Sequence, residues 1–86
     1  MIPTVYYPGT SIWTKTLRDF ILDHSLSEDD VLMLHQKNFD EMILKYRDTY
    51  GHSMVLPYSL LGVIIEEDMT GKVPYGRVGL TKKAGH

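Results

Sequence analysis

The amino-acid sequence predicts a small α+β domain in which a helix is followed by a strand, a second helix and a β-hairpin. Three observations lead to this prediction. Apolar residues recur at helical spacing early in the chain, a second such stripe ends at Gly51, and short runs rich in β-branched residues follow. We expect both helices to pack on one face of a three-stranded antiparallel or mixed sheet.

The size and composition indicate one globular domain that spans residues 1–86. Hydrophobic residues make up 43% of the chain and charged residues 23%, which is typical of a folded protein and not of a disordered one. The prolines and glycine within residues 1–10 predict an extended N-terminal arm. Residues 82–86 are expected to form a frayed basic tail.

The first helix is predicted over about residues 12–24. Five side chains recur at intervals of three and four residues and would form one face of an amphipathic helix: Trp13, Leu17, Phe20, Ile21 and His24.

Residues 28–50 allow two interpretations. The apolar run at 31–34 suits a buried strand, yet several apolar side chains also follow a helical period, so a single long helix is the alternative. We favour a strand over 31–35 followed by a separate helix, because Asn38 is a good N-cap and Glu41 lies three residues further on, as in a capping box. That helix would bury a stripe from Phe39 to Tyr50 and end at Gly51.

The β-hairpin is predicted from two signals. The run from Leu60 to Ile65 suits one central strand, and Asp68–Gly71 has the residues of a turn that would close a hairpin. Glu67 and Lys72 would then face each other across the strands. Pro74 interrupts the return strand, so pairing is expected to resume over 77–81 at the edge of the sheet.

The sequence offers no catalytic, cofactor-binding or metal-binding motif. There is no cysteine, and His24, His35, His52 and His86 have no metal-ligand spacing. The adjacent acids are expected on solvent-facing turns and helix starts, where neither carboxyl group would be desolvated enough for acid–base catalysis. A small enzyme, or a subunit of one, with His24 or His35 as the base is therefore only an alternative hypothesis.

The charges are unevenly distributed along the chain. Residues 1–71 carry five Lys/Arg against eleven Asp/Glu, whereas residues 72–86 carry four Lys/Arg and no acid. A second alternative is therefore a nucleic-acid-associated regulator that uses a basic tail of Arg77, Lys82 and Lys83. Duplex binding is not favoured, because three consecutive acids at 28–30 stand where a recognition helix would start.

Tyrosines beside prolines are the remaining clue to function. Tyrosine is enriched in protein contacts because it combines a large, stiff ring with one hydroxyl group. We therefore expect a non-enzymatic protein–protein interaction or structural module whose partner is another protein or a second copy of the chain as a homodimer. The candidate contact surface consists of Tyr6, Tyr7, Tyr58 and Tyr75.

A resemblance to known proteins bears on the same hypothesis. The segment from Val31 to Leu80, with its motifs NFDEMILKYRDTYG, LPYSLLGVIIEED and PYGRVGL, is similar to short domains in phage and mobile-element proteins. The resemblance implies an assembly component of that type and assigns a role to no individual residue. Since no apolar stretch approaches about 18 residues and the first residues lack a secretion signal, a soluble cytoplasmic protein is expected.

Overall fold

A computed structural model describes residues 3–9 and 11–83. Two helices and five strands follow one another as β1 (Thr4–Tyr6), α1 (Thr14–Asp23), β2 (Asp30–Leu34), α2 (Gln36–Tyr50), β3 (Tyr58–Leu60), β4 (Val63–Glu67) and β5 (Val78–Lys82). The strands form one mixed sheet in the order β1-β5-β2-β4-β3. Only β2 and β4 pair in parallel among the described strands. The α+β class is confirmed, and the prediction of three strands is wrong.

Both helices contribute to one apolar core on one face of the sheet. In β2, Leu32 and Leu34 point to the same face because side chains alternate along a strand, and both are fully buried. They join side chains of α1, α2, β4, β5 and two connecting segments in a cluster of twelve residues: Ile12, Leu17, Phe20, Ile21, Leu32, Leu34, Phe39, Met42, Met54, Val63, Ile65 and Val78. Residues of both helices therefore pack on this face of the sheet.

The segment 28–50 is a strand followed by a helix, as favoured. The start of α2 was predicted wrongly, however. His35 caps the helix, with its Nδ1 accepting a hydrogen bond from the backbone N–H of Lys37 at 3.0 Å. Asn38 lies inside the first turn and is buried. The predicted end is confirmed, since Gly51 has φ 77° and its N–H donates to the Arg47 carbonyl.

The single central strand predicted over 60–65 is wrong, because a two-residue turn divides it. Leu61 and Gly62 have φ values of 52° and 83°, as a tight hairpin turn of the primed type requires, and they join β3 to β4. Leucine rarely adopts positive φ, which is why the sequence did not indicate a turn here.

The hairpin predicted at Asp68–Gly71 is also wrong. Strand β4 already has β2 on one side and β3 on the other, so no edge of β4 is left for a returning strand. The chain instead crosses the end of β2 and enters β5, which lies between β1 and β2 and not at an edge. Glu67 is therefore level with Leu34, and the predicted pairing of Glu67 with Lys72 does not form.

Both predicted ends of the chain contribute residues to the sheet. Thr4–Tyr6 of the expected N-terminal arm form β1, and Lys82 of the expected tail is the last residue of β5. The rest of the predicted tail beyond Lys83 lies outside the described residues, as does His86.

A second, smaller apolar layer covers part of the opposite face of the sheet. The segment that links β4 to β5 brings Val73 over Gly79 of β5, and Val73 is only 1% exposed. Pro3 lies against the same spot, since a Cβ added to Gly79 would stand 2.6 Å from Val73 and 3.2 Å from Pro3. Val73 therefore packs this crossing segment onto β5.

Candidate functional site

The four candidate tyrosines lie at three different places in the fold. Tyr6 in β1 and Tyr58 in β3 belong to the two opposite edges of the sheet, about 19 Å apart across four strand spacings. Both are half-buried and pack against the core. Tyr7 and Tyr75 are 69% and 54% exposed, so they alone retain the exposure expected of a contact surface.

The two half-buried tyrosines contact core aromatic side chains. The ring of Tyr6 lies 5.3 Å from that of Phe20 and 5.0 Å from that of His24, both edge-on. Tyr58 packs edge-on against Tyr46 at 6.0 Å, and burial together with the neighbouring tyrosines raises the pKa of its hydroxyl. These contacts indicate that Tyr6 and Tyr58 pack the two edges of the sheet against the core.

Tyr7 and Tyr75 line one groove of about 420 Å³. Its walls are the segment between β1 and α1, the N-terminal half of α2 and the turn that precedes β5. The side chains that give the groove its chemistry are Tyr7, Trp13, Asn38, Glu41, Lys45 and Tyr75.

Hydrogen bonds fix the turn before β5 against α2. The Asn38 Oδ1 accepts from the backbone N–H of Gly76 at 2.7 Å, and Gly76 has φ 81°. The hydroxyl of Tyr75 donates to the Glu41 carboxylate, whose two oxygens lie 3.0 and 2.9 Å away. That hydrogen bond also raises the pKa of Tyr75. The groove wall is therefore held in place without a ligand.

Two cations lie on the aromatic rings of the groove. The ammonium group of Lys45 is 4.2 Å from the centre of the Trp13 ring, and the guanidinium group of Arg77 is 4.4 Å from that of Tyr7. The ion pairs of the described residues join Lys15 with Asp19 and Lys82 with Asp30, so neither Lys45 nor Arg77 forms an ion pair within that part of the chain.

The predicted basic tail is divided between the two ends of β5. Arg77 precedes the strand and Lys82 ends it, so their backbones are about 17 Å apart along the strand. Lys82 donates to Asp30 at 2.8 Å, and the backbone N–H of Lys83 donates to the Asp29 carbonyl at 2.7 Å. Arg77 thus lies on the ring of Tyr7, and the two lysines lie beside acidic residues.

Two acids depart from the expectation that carboxylates lie in solvent. Asp30 and Asp68 are 6% and 3% exposed. Asp30 accepts from Lys82 and from the backbone N–H of Ser27, and these hydrogen bonds lower its pKa. A lowered pKa makes a carboxylate a weaker proton acceptor, so Asp30 is a structural group and a poor general base.

We expect Lys82→Gln to raise the pKa of Asp30, because Lys82 contributes the largest stabilisation of its charged form. A carbon-detected NMR titration of the Asp30 carboxyl group measures this directly. Lys83→Gln is the matched control, since it removes the same charge from the neighbouring residue and should leave the titration midpoint in place. Equal midpoints in wild type and Lys82→Gln would contradict the assigned cause.

The histidines proposed as catalytic bases lie in separate depressions. His24 lines a depression beside Asp30 and Lys82, and its ring stacks on Phe20 with the centroids 4.0 Å apart. His35 lines another beside Asp68, where it caps α2. No group of three or more potential metal ligands occurs within residues 3–9 and 11–83.

Sequence reasoning missed most of the groove. Trp13 was assigned to the apolar stripe of α1, and Asn38 and Glu41 were assigned to a capping box. One local signal was available, because Tyr7-Pro8-Gly9 and Pro74-Tyr75-Gly76 both place an exposed tyrosine in a turn. The contacts that join these two turns are long-range, so spacing alone does not show them.

Comparison of the chain with family models, curated proteins and solved structures finds no match in any of the three. No helix within the described residues is long and apolar enough to cross a bilayer.

Proposed function

We propose that this chain is a non-enzymatic protein–protein interaction module that binds its partner in the groove between the β1–α1 segment, α2 and the turn before β5. One observation carries the proposal: the groove brings together Tyr7, Trp13 and Tyr75, and the guanidinium group of Arg77 lies on the ring of Tyr7. Tyrosine, tryptophan and arginine are the residue types that contribute most binding energy in protein interfaces.

The rigidity of the groove supports the same proposal. Hydrogen bonds from Tyr75 to Glu41 and from Gly76 to Asn38 hold the wall in the unbound protein. A preorganised wall lowers the entropic cost of association, because fewer side chains have to be ordered when the partner arrives.

Two alternatives have less support. A nucleic-acid regulator needs a continuous cationic surface, whereas Arg77 and Lys82 lie at opposite ends of β5 and Lys82 has an acid partner. An enzyme with a histidine base needs a second catalytic group near that base. Among the described residues, no hydrogen bond joins His24 to Asp30, although both line one depression.

We expect the double substitution Tyr7→Ala/Tyr75→Ala to abolish partner capture. The experiment uses the purified chain as bait in a lysate of its host and quantifies captured proteins by mass spectrometry. Tyr50→Ala is the matched control, because Tyr50 is 54% exposed at the other end of α2. If the double variant Tyr7→Ala/Tyr75→Ala still captures the partner, or if it and Tyr50→Ala lose capture equally, the groove is not the binding site.

Self-association stays part of the proposal. The edge strands β1 and β3 contain three residues each, and Val5 of β1 is 40% exposed. Light scattering across a concentration series should show a mass that rises toward twice the monomer value if a homodimer forms.

The assembly role in a phage or mobile element rests on the resemblance alone, and virion or conjugation genes beside this one would support it.

A further inference from the structure

We infer that the outer edge of β3 binds an extended acidic segment of another protein, which joins the sheet as an antiparallel strand and places a carboxylate beside Arg18. The surface that carries this inference is a depression of about 250 Å³ between α1 and β3. Among the described residues, Trp13 alone lines both this depression and the groove. The inference therefore goes beyond the proposed function and does not depend on it.

One residue of β3 offers backbone groups that β4 does not use. Leu60 and Val63 flank the two-residue turn and bond each other, and bonded pairs alternate with unbonded pairs along an antiparallel ladder. Ser59, which lies opposite Ile64, therefore turns its N–H and its carbonyl away from β4. Ser59 is exposed, and within the described residues no strand lies on that side of β3. Such an edge is a template for an added strand.

The pairing decides where the side chains of an added strand point. A single outward residue can exchange both of its hydrogen bonds with one opposite residue only in an antiparallel pair. The residue opposite Ser59 would point away from the helices, as Ser59 does. Its two neighbours would point to the helix face together with Tyr58 and Leu60, and these two residues line the depression. Alternate side chains of the segment would therefore enter the depression.

The depression is lined by cations without an acid. Lys15 and Arg18 line it, and no Asp or Glu does so in the part of the chain that the structure describes. The two cations are three residues apart in α1 and are therefore neighbours on its surface. Asp19 pairs with Lys15 at 3.0 Å, but it lines a neighbouring depression. Arg18 forms no ion pair within the described residues, and a carboxylate is the side chain that a guanidinium group binds best.

A second copy of the chain is a poorer occupant of this edge. Antiparallel pairing of two β3 strands would relate the copies by a two-fold axis and would place both α1 helices on the same face of the joined sheet. Lys15 and Arg18 of one copy would then face the same two cations of the other, and like charges repel. The acidic segment therefore belongs to a different protein, and β1 remains the edge for self-association.

Peptides that alternate two residue types test this geometry. The probes are three acetylated and amidated heptapeptides in which threonine alternates with glutamate, glutamine or lysine. In antiparallel addition a threonine pairs with Ser59, and the alternating test residues flank it on the helix face. NMR titration of the isotope-labelled protein follows the Ser59 amide. Fluorescence of Trp13, the single tryptophan of the chain, gives an independent signal because Trp13 lines the depression.

We expect the glutamate peptide to bind at least about fivefold more tightly than the glutamine peptide and to slow hydrogen exchange at the Ser59 amide. Arg18→Gln should remove most of this difference in affinity. Arg77→Gln is the matched control, because it removes the same charge beside β5, which β2 and β4 separate from β3. Methylation of the threonine nitrogens should abolish binding, since these N–H groups would donate to the Ser59 carbonyl. Methylation of the glutamate nitrogens, which face away from β3, should be tolerated.

Four results would each overturn the inference. They are equal binding of the glutamate and glutamine peptides, tighter binding of the lysine peptide, tighter binding of an oligothymidylate than of the glutamate peptide, and an unchanged exchange rate at Ser59. Loss of peptide binding in Tyr7→Ala/Tyr75→Ala would place the peptide in the groove and would overturn it as well. Capture from lysate tests the groove separately, so the inference and the proposed function can fail independently. Thermal melting of each variant shows that the folded state is retained.

Discussion

Asp68→Ala is expected to lower the free energy of unfolding by about 2–4 kcal/mol, a loss typical of breaking a buried hydrogen-bond network. The Asp68 carboxylate lies at the end of β4 and is 3% exposed. One oxygen accepts from the N–H and the hydroxyl of Thr70 at 2.9 and 2.6 Å, and the other accepts from the N–H of Val73 at 2.7 Å. The substitution leaves the buried N–H of Val73 without an acceptor.

Chemical denaturation of wild type and variant measures the difference. Asp48→Ala is the control, because Asp48 is exposed on α2 and has no hydrogen bond among the described side chains; its effect should stay within about 0.5 kcal/mol. Equal losses in the two variants would show that the network around Asp68 does not stabilise the crossing segment.

The same carboxylate predicts acid sensitivity. Burial opposes ionisation of Asp68, but the hydrogen bonds from Thr70 and Val73 outweigh it and hold the pKa at about 2, below the ordinary value of 3.8. A pKa that is lowered by folding stabilises the protein above the unfolded value and loses that contribution as pH falls from about 4 towards 2. Allowing for screening near the molecular surface, the lost contribution is about 1–2 kcal/mol.

Asp68→Asn isolates this contribution from that of Asp30, whose pKa is also lowered. Its free energy of unfolding should fall less steeply with pH than that of wild type over pH 4 to 2. Parallel curves for the two proteins would contradict the assignment to Asp68.

Gly79→Ala is the second substitution expected to have a large effect, with a loss of about 1–3 kcal/mol from overpacking. Gly79 lies in β5, and an added Cβ would meet Val73 at 2.6 Å and Pro3 at 3.2 Å. Val73 has little room to move, because it is 1% exposed and its N–H is bound to Asp68.

A double-mutant cycle with Val73→Ala tests this cause. Val73→Ala removes the methyl group nearest to the new Cβ, so the double variant should be less destabilised than the sum of the two single variants, with a coupling of about 1 kcal/mol or more. Val63→Ala is the control partner, because Val63 is equally buried but lies in the other apolar layer. Additivity with Val73→Ala would contradict the proposed clash.

The parts of the fold that depend on local sequence were predictable. The apolar stripes of α1 and α2 follow from helical spacing, and the end of α2 follows from the positive φ that Gly51 adopts. Each of these signals depends on residues that are close together in the sequence. Strand pairing depends on distant residues. The residues from Asp68 to Gly71 do not indicate that β4 already has two neighbouring strands. The residues near Thr4 do not indicate that β1 pairs with β5.

Only part of the groove was predictable. Four tyrosines in arms or loops beside prolines formed the predicted contact surface, and two of them, Tyr7 and Tyr75, line the groove. The order of the strands separates Tyr7 and Tyr75 from Tyr6 and Tyr58. The pairing of β1 with β5 brings the guanidinium group of Arg77 onto the ring of Tyr7. Each of these requires knowledge of which strands are neighbours.

The interior position of β5 has a consequence for biosynthesis. Synthesis delivers β5 after the six other described elements, yet β1 pairs only with β5 among the described strands. The helices and the β2–β4 pair can form before β5 has been made, whereas β1 gains its neighbour only when β5 follows. Pairing across such a long sequence separation is slow, so closure of this side of the sheet is expected to be a late step of folding.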